Sequence, residues 1–451
     1  MNRQAKKQAV LLIHGIGEQR PMETLWSFVD LVWLKAPARP GAPARTVYSE
    51  PDEISGVYEL RRLSTNYGGA GKRTDFYEFY WAHLMHGNVL SDVLGWLAHL
   101  ALRKRASVPP QLHKAWTALR FIVGGFGFAI VLAFATSLFA GLTGHVLLIV
   151  AIVAAFLAAF AGLAVADQIF FSPVLGDAAR YLRPAPKNIG CRQQIRESGL
   201  RLIDALHRSG KYDRIVLVGH SLGGVIAYEL ALHYWGTRNR LMDREGVQAP
   251  LAAAEAAARA LAEGGSREDW LTAQHALWDV LRREQDEAGA PLWLISDLIT
   301  LGSPLAHAET LLAQSPEAFQ QLLERREIAA DPPQMEIFTN GARRFSYCRR
   351  PDDADDPGAA PRAPHNSAVF SATRWTNIFF PMQGILRGDL VGGPCAPVYG
   401  PGVLDIAACA PVTGGWFPHM HYFRDACDTP WGDPAWVDHR KALRSALALD
   451  E

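Results

Sequence analysis

Short apolar runs alternate along this chain with longer segments in which apolar residues recur at helical spacing. Strands are predicted at residues 10–13, 75–81, 215–218, 292–301 and 374–380. Helices are predicted at residues 21–33, 192–208, 222–234, 250–262, 268–285 and 434–448. This alternation indicates an α/β fold with a mainly parallel sheet flanked by helices.

One long apolar run interrupts the pattern. Residues 121–166 contain no Asp, Glu, Lys or Arg, and a membrane span needs roughly 20 apolar residues. We therefore predict two spans, at about 121–141 and 146–166, joined by a turn at Gly141 and Gly144. Basic residues flank the run on both sides and are absent from the turn, which predicts cytoplasmic ends. A buried helical hairpin is the alternative.

Composition and charge narrow the possible functions. The 45 Lys and Arg residues balance 45 Asp and Glu residues, so nothing in the net charge suggests a nucleic-acid partner. Five scattered cysteines without a CxxC pair favour reduced thiols over a zinc site or disulfides. The polar, basic residues 1–9 lead directly into a strand, so no cleaved signal peptide is expected. No cofactor is implied.

A serine turn follows the strand at residues 215–218, with the sequence Gly219-His220-Ser221-Leu222-Gly223. Four apolar β-formers lead in and a helix leads out, which is the context of a nucleophile elbow. The two outer glycines avoid side-chain clashes where the strand and the helix crowd together. The pattern predicts Ser221 as a nucleophile at the carboxyl-terminal edge of the sheet.

Backbone N–H groups are predicted to form an oxyanion hole beside this serine. The N–H of Leu222 lies at a helix N-terminus and is a natural donor. The loop His14-Gly15-Ile16-Gly17 is expected to supply the second donor, from Ile16 or alternatively from Gly17. His14 and His220 are interpreted as structural residues, and His220 is expected to point away from Ser221.

These motifs, with Thr300-Leu301-Gly302-Ser303-Pro304, resemble the α/β-hydrolase superfamily, specifically its lipase- and esterase-like members. The resemblance covers roughly residues 1–85 and 185–430. Lipase-like relatives often carry a Trp-x-Asn strand, an Asp-x-Val loop and a His-x-x-Tyr-aromatic segment. The corresponding segments here are Trp375-Thr376-Asn377, Asp389-Leu390-Val391 and His419-Met420-His421-Tyr422-Phe423.

The resemblance implies a triad of Ser221, Asp389 and His419, in the chain order that the superfamily uses. His419 would take the proton from the serine, and Asp389 would orient the imidazole. His421 is an alternative base, whereas Asp297 and Asp405 are alternative acids. Metal binding by His419 and His421 is disfavoured because the sequence offers no third ligand cluster.

The motifs and the apolar run divide the chain into six predicted segments. They are the N-terminal part of the hydrolase domain (1–87), an interfacial amphipathic segment (88–118), a transmembrane helical hairpin (119–168), the nucleophile-bearing part (185–236), a helical cap insertion (237–290) and the C-terminal part (291–451). The cap is expected to shape an acyl pocket. For residues 88–118 the alternative is a helix packed on the domain.

Together these expectations describe a membrane-anchored serine hydrolase that cleaves acyl esters, a lipase or phospholipase acting on membrane lipids. It would contact the lipid bilayer through residues 121–166, as a two-span protein with its catalytic domain facing the cytoplasm. A thioesterase or protein-lipid deacylase would use the same triad. A non-catalytic membrane-bound scaffold is the alternative from another class. The sequence leaves the lipid class and the oligomeric state open.

Overall fold

The computed structural model describes most of the chain outside the long apolar run. The described residues are 7–15, 20–37, 44–66, 73–84, 181–182, 186–313, 315–348, 361–383, 387–415, 418–425 and 430–449, with a few isolated positions between 102 and 124. The chain divides into two units. One comprises Met1–Gly15, Gln19–Trp81 and Arg192–Glu451, and the other comprises Ile16–Glu18 and Ala82–Cys191.

The larger unit contains a nine-stranded sheet. Its strands are β1 (Lys7–Ile13), β2 (Val47–Pro51), β3 (Arg61–Thr65), β4 (Arg73–Phe79), β5 (Arg214–His220), β6 (Ile295–Leu301), β11 (Arg374–Phe379), β12 (Leu404–Cys409) and β13 (Val437–Asp438). They lie in the order β13-β12-β11-β6-β5-β1-β4-β3-β2. Neighbouring strands from β13 to β4 are parallel, whereas β3 is antiparallel to β4 and β2 is antiparallel to β3.

Two short antiparallel pairs lie outside this sheet. They are β7 (Glu336–Ile337) with β8 (Arg343–Arg344), and β9 (Ser346–Cys348) with β10 (Arg362–Pro364). The helices are α1 (Glu23–Val29), which continues as a π-helix over Asp30–Leu34, α2 (Pro186–Arg208), α3 (Leu222–Arg238), α4 (Glu245–Ala262), α5 (Arg267–Leu281), α6 (Ala308–Leu311), α7 (Pro316–Glu324), α8 (Ala396–Tyr399) and α9 (His439–Ala446). The predicted α/β class is confirmed.

The central strands β1, β5 and β6 are buried on both faces, which explains why most of their residues are apolar. Alternate residues point to opposite faces of a strand. Val10 of β1 is paired with Val216 of β5, so their side chains share one face, where they join a buried cluster with Phe28 of α1 and Leu443 of α9. This packing holds the carboxyl ends of β1, β5 and β6 side by side.

The predicted two-span membrane localisation is wrong. Among the described residues, no helix is both long and apolar enough to cross a bilayer. The longest one, α2, carries charged side chains from Arg192 to Arg208. Residues 121–166, for which both spans were predicted, lie outside the described part of the chain, except for Gly124.

Helix α5, in the predicted cap at 237–290, lies at the amino-terminal edge of the sheet. Gln274 donates to the carbonyls of Phe370 and Thr373, immediately before β11. The N–H groups of Leu292 and Trp293, which lead into β6, donate to the carbonyl of Leu281. Because Ser221 follows the carboxyl end of β5, α5 lies at the opposite edge. The expectation that residues 237–290 shape an acyl pocket stays a prediction, and any part that α5 has in it would come from the edge opposite to Ser221.

A cavity of about 570 Å³ lies at the same amino-terminal edge. It is lined by Arg214, Asp297 and Arg374 from the strands and by Trp278 and other residues of α5. Ser221, Asp389 and His419 are not among its lining residues. This cavity is therefore separate from the three residues that are predicted to form the catalytic triad.

Candidate active site

The serine turn between β5 and α3 has a strained backbone. Ser221 adopts φ 55° and ψ −127°, a conformation that costs energy for a residue with a side chain. Its N–H donates to the carbonyl of Leu301 at 2.9 Å, which ties the turn to the end of β6. Helix α3 begins at the next residue. The sequence therefore folds locally into the strand–turn–helix arrangement predicted for a nucleophile elbow.

The glycines of this motif make close approaches that exclude a side chain. A Cβ atom on Gly219 would lie 2.4 Å from the carbonyl oxygen of Gly223. One on Gly223 would lie 2.2 Å from the carbonyl oxygen of Ile13, at the end of β1. These contacts seat the start of α3 against the neighbouring strand and fix where the serine lies.

Three of the predicted site residues meet at this turn. The Oγ of Ser221 lies 2.9 Å from Nε2 of His419, although the two residues are 198 positions apart. Nδ1 of His419 lies 3.0 Å from both carboxylate oxygens of Asp389. Because a carboxylate only accepts, Nδ1 carries the hydrogen and Nε2 is free to accept from the serine hydroxyl. The arrangement can move a proton from serine to imidazole.

Asp389 is held in a tight, fully buried setting. Its Oδ1 accepts from the N–H of Val391 at 2.8 Å, and its Oδ2 accepts from the hydroxyl of Tyr422 at 2.8 Å. A Cβ atom on Gly302 would lie 2.6 Å from Oδ2. Burial alone raises the pKa of Asp389, but His419 and the hydrogen bonds outweigh it and hold that pKa below its ordinary value. Asp389 therefore remains a carboxylate.

The alternative acids and the alternative base lie elsewhere. Asp297, in the first half of β6, pairs with Arg214 and Arg374 at 2.6 Å each. Asp405 accepts from the backbone N–H groups that open α8, at 2.9 and 2.8 Å. The hydrogen bonds described for Ser221 and Asp389 do not include His421. Of the candidates weighed from the sequence, the structure brings together Ser221, Asp389 and His419.

The predicted oxyanion donors are described only in part. Leu222 is the first residue of α3, whose opening N–H groups have no acceptor within the helix. Ile16 and Gly17 lie outside the described residues. Gly15 is described, and a Cβ atom on it would lie 3.1 Å from Cβ of Ser221. The loop after β1 thus reaches the serine at Gly15.

His14 fixes the beginning of that loop. Its ring stacks on Trp81 with the centroids 5.1 Å apart, and its Nε2 accepts from the backbone N–H of Trp81 at 3.2 Å. Its Nδ1 consequently carries the hydrogen and donates to the carbonyl of Gly15 at 2.7 Å. This geometry fits the structural role expected for His14. No pattern in the sequence indicates Trp81 as its partner.

Sequence reasoning missed the contacts of two further residues. His220 is expected to point away from Ser221, and the sequence did not indicate that its Nε2 lies 3.0 Å from the backbone carbonyl of His419. Tyr422 stood within the His-x-x-Tyr segment without a role, and it contacts Asp389 directly. Only the spacing to His419 could have indicated Tyr422. In the described part of the chain, no group of three His, Cys, Asp or Glu side chains is placed to hold a metal ion.

Comparisons of the chain with protein-family models, with curated proteins and with solved structures gave no match.

Proposed function

We propose that this protein is a serine hydrolase of the α/β-hydrolase type that cleaves acyl esters through an acyl-enzyme. The observation that carries the proposal is the hydrogen-bonded series from Ser221 through His419 to Asp389 at a strained strand–helix turn. Serine hydroxyls are weak nucleophiles unless a base accepts their proton, and this geometry supplies such a base. The order Ser, Asp, His agrees with the superfamily pattern.

The topology supports the finer fold assignment. β1, which ends at the His14-Gly15 turn, is the direct neighbour of β5, which leads to Ser221. An α/β-hydrolase needs this adjacency because one oxyanion donor follows the nucleophile and the other comes from a neighbouring strand's loop. The loop with Asp389 follows β11, which pairs with β6 next to β5.

The proposed reaction has two halves. The Oγ of Ser221 attacks the ester carbonyl carbon while its proton passes to Nε2 of His419. The tetrahedral intermediate collapses, the bond to the alcohol oxygen breaks, and His419 returns the proton to the leaving alcohol. A water molecule then attacks the acyl-serine and loses a proton to Nε2 of His419. The bond from the acyl carbon to Oγ breaks, His419 returns this proton to Oγ, and the carboxylic acid leaves with the serine hydroxyl restored. Asp389 stays ionised throughout and stabilises the imidazolium.

A fluorophosphonate probe and a panel of 4-nitrophenyl esters of increasing acyl length test this proposal. We expect the wild-type protein to be labelled on Ser221, as located by peptide mass spectrometry, and to release nitrophenol. Ser221→Ala should abolish both signals. Ser371→Ala is the matched control, since this buried serine bonds only to the carbonyl of Ala368 among the contacts described. Labelling that persists in Ser221→Ala, or a folded wild type with neither signal, rejects the proposal.

A further inference from the structure

His220 connects three segments that the proposed chemistry needs. It precedes Ser221 in the chain, and its Nε2 lies 3.0 Å from the backbone carbonyl oxygen of His419. On its other side, a Cβ atom placed on Gly15 would lie 3.0 Å from Nδ1 of His220. Its ring also lies 5.2 Å from the ring of His419 and 5.2 Å from that of Phe423. The nucleophile, the base and the loop after β1 therefore meet at one side chain.

The hydrogen-bonding role of this ring follows from its partner. A carbonyl oxygen can only accept, so Nε2 of His220 carries the hydrogen and donates. The side chain is 4% exposed, and burial, with His419 close by, lowers its pKa to about 3. His220 is therefore a neutral, fixed donor at the pH values where such hydrolysis is measured, and it is not a second base.

The base needs an anchor of this kind. His419 belongs to one 3₁₀ turn, Pro418–His421, and not to the sheet. Turns of this length have few hydrogen bonds of their own, and their geometry is poorer than that of an α-helix. His220 is the last residue of β5, a strand buried between two neighbours. A bond from His220 to the carbonyl of His419 thus ties the turn to the strand that carries the nucleophile.

We propose that His220 is a positioning residue that sets the distance between Nε2 of His419 and Oγ of Ser221. The inference rests on the proposed hydrolase function. The backbone joins Ser221 to His220, and the side chain of His220 is hydrogen-bonded to the carbonyl of His419. The 2.9 Å contact between Nε2 of His419 and Oγ of Ser221 completes this ring of contacts. A misplacement of about 1 Å in such a contact costs on the order of 10²-fold in rate.

Two substitutions of similar length separate donation from packing. His220→Met removes the donor and keeps an unbranched side chain, whereas His220→Gln keeps an N–H near the position of Nε2. We expect His220→Met to lower kcat by about 10²-fold with little change in KM, because substrate contacts are unaffected. We expect His220→Gln to recover most of that loss. The rate of Ser221 phosphonylation by the probe should follow the same order without any acyl substrate.

A second buried histidine provides the matched control. Nε2 of His439 donates to the carbonyl of Arg424 at 2.9 Å, and the side chain is 2% exposed. His439→Met removes the same kind of hydrogen bond from a carbonyl outside the triad. It should lower the midpoint of thermal unfolding as His220→Met does, but leave kcat and the phosphonylation rate within about twofold of wild type.

The outcomes are distinguishable. Loss in His220→Met with recovery in His220→Gln supports positioning by the donated hydrogen bond. Equal losses in both variants, equal losses in His439→Met, or full activity in His220→Met overturn it while the hydrolase proposal stands. A folded wild type that the probe does not label rejects the hydrolase proposal and removes the base that His220 would position.

Discussion

The hydroxyl of Tyr422 donates a 2.8 Å hydrogen bond to Oδ2 of Asp389, the carboxylate that also accepts from His419. The same hydroxyl accepts from the N–H of Phe380 at 3.1 Å, and the N–H of Asp389 donates to the carbonyl of Phe380 at 3.0 Å. Burial and the neighbouring carboxylate raise the pKa of Tyr422 well above its ordinary value, so it remains a donor. Tyr422, Phe380 and Asp389 thus form one closed network.

We expect Tyr422→Phe to lower kcat/KM by about 10- to 100-fold, because a hydrogen bond to a charged group contributes roughly 1.5–3 kcal/mol. The ring and its stacking on Phe380, at 4.1 Å between centroids, are retained. Ester hydrolysis and thermal unfolding measure the change. Tyr228→Phe is the control, since its buried hydroxyl bonds to the carbonyl of Ala329, and it should affect stability alone. Unchanged kcat/KM in Tyr422→Phe would show that Asp389 does not need this donor.

A second prediction concerns the acid itself. Asp389→Asn should lower kcat by about 10³- to 10⁴-fold, because an amide N–H facing Nδ1 forces the histidine into the wrong tautomer. Asp405→Asn and Asp297→Asn are the controls, because their partners are the start of α8 and two arginines. These two variants should lose stability and keep kcat. If either of them lost activity as strongly as Asp389→Asn, the assignment of the acid would be wrong.

The sequence predicted the buried part of the fold better than its edges. β1, β5 and β6 lie in the interior, where the side chains on both faces are buried, so apolar residues predominate in their sequences and indicate the strands. β2 is an edge strand whose side chains are partly or fully exposed, and its sequence carries no apolar alternation. β13 has two residues, which is too short for any periodicity. Both strands form because they pair with a neighbouring strand.

Some features of the candidate site could likewise be predicted from the sequence, and others could not. Ser221 could be predicted because the strained backbone of its turn requires glycines at fixed positions, and these glycines can be recognised in the sequence. The contact between His220 and His419 joins residues 199 positions apart through a backbone carbonyl, which no side-chain pattern encodes. The position of α5 at the amino-terminal edge of the sheet could not be predicted, because the periodicity of a helix indicates that one face is buried and does not indicate which element it packs against.

Close packing at the serine turn gives a prediction on stability. Gly223→Ala should destabilise the fold by about 3 kcal/mol, at the upper end for overpacking, because the new Cβ meets the Ile13 carbonyl oxygen at 2.2 Å. Gly236, in the same helix, has no atom closer than 3.9 Å to an added Cβ. Gly236→Ala should stabilise by about 0.5–1 kcal/mol through the unfolded chain. Urea unfolding measures both, and equal effects would contradict the close approach.

Asp331 provides a test of the fold that does not depend on catalysis. Its carboxyl group is fully buried, with Oδ1 accepting from Nε1 of Trp270 at 2.9 Å and Oδ2 without a partner among the described residues. Burial raises its pKa from 3.8 to about 8, against the smaller opposing influence of Trp270 and Arg267. The folded protein therefore binds this proton more tightly than the unfolded chain does.

The sign of the pH dependence follows because the pKa of Asp331 is higher in the folded protein than in the unfolded chain. The contribution of Asp331 to stability is fully present below pH 3.8 and is lost as the pH rises through about 8. Within this interval the free energy of unfolding should fall by up to about 1.4 kcal/mol for each pH unit. Asp331→Asn keeps a neutral side chain with an acceptor for Trp270, so its curve should lack this slope and lie above that of wild type at pH 9.

The comparison is made by urea unfolding of wild type and Asp331→Asn between pH 4 and pH 9. Glu78, whose pKa burial raises to about 7, titrates in both proteins, so its contribution cancels when one curve is subtracted from the other. The remaining difference reports Asp331. Two parallel curves would mean that Asp331 is ionised inside the folded protein at these pH values, and that Trp270 and Arg267 outweigh the cost of its burial.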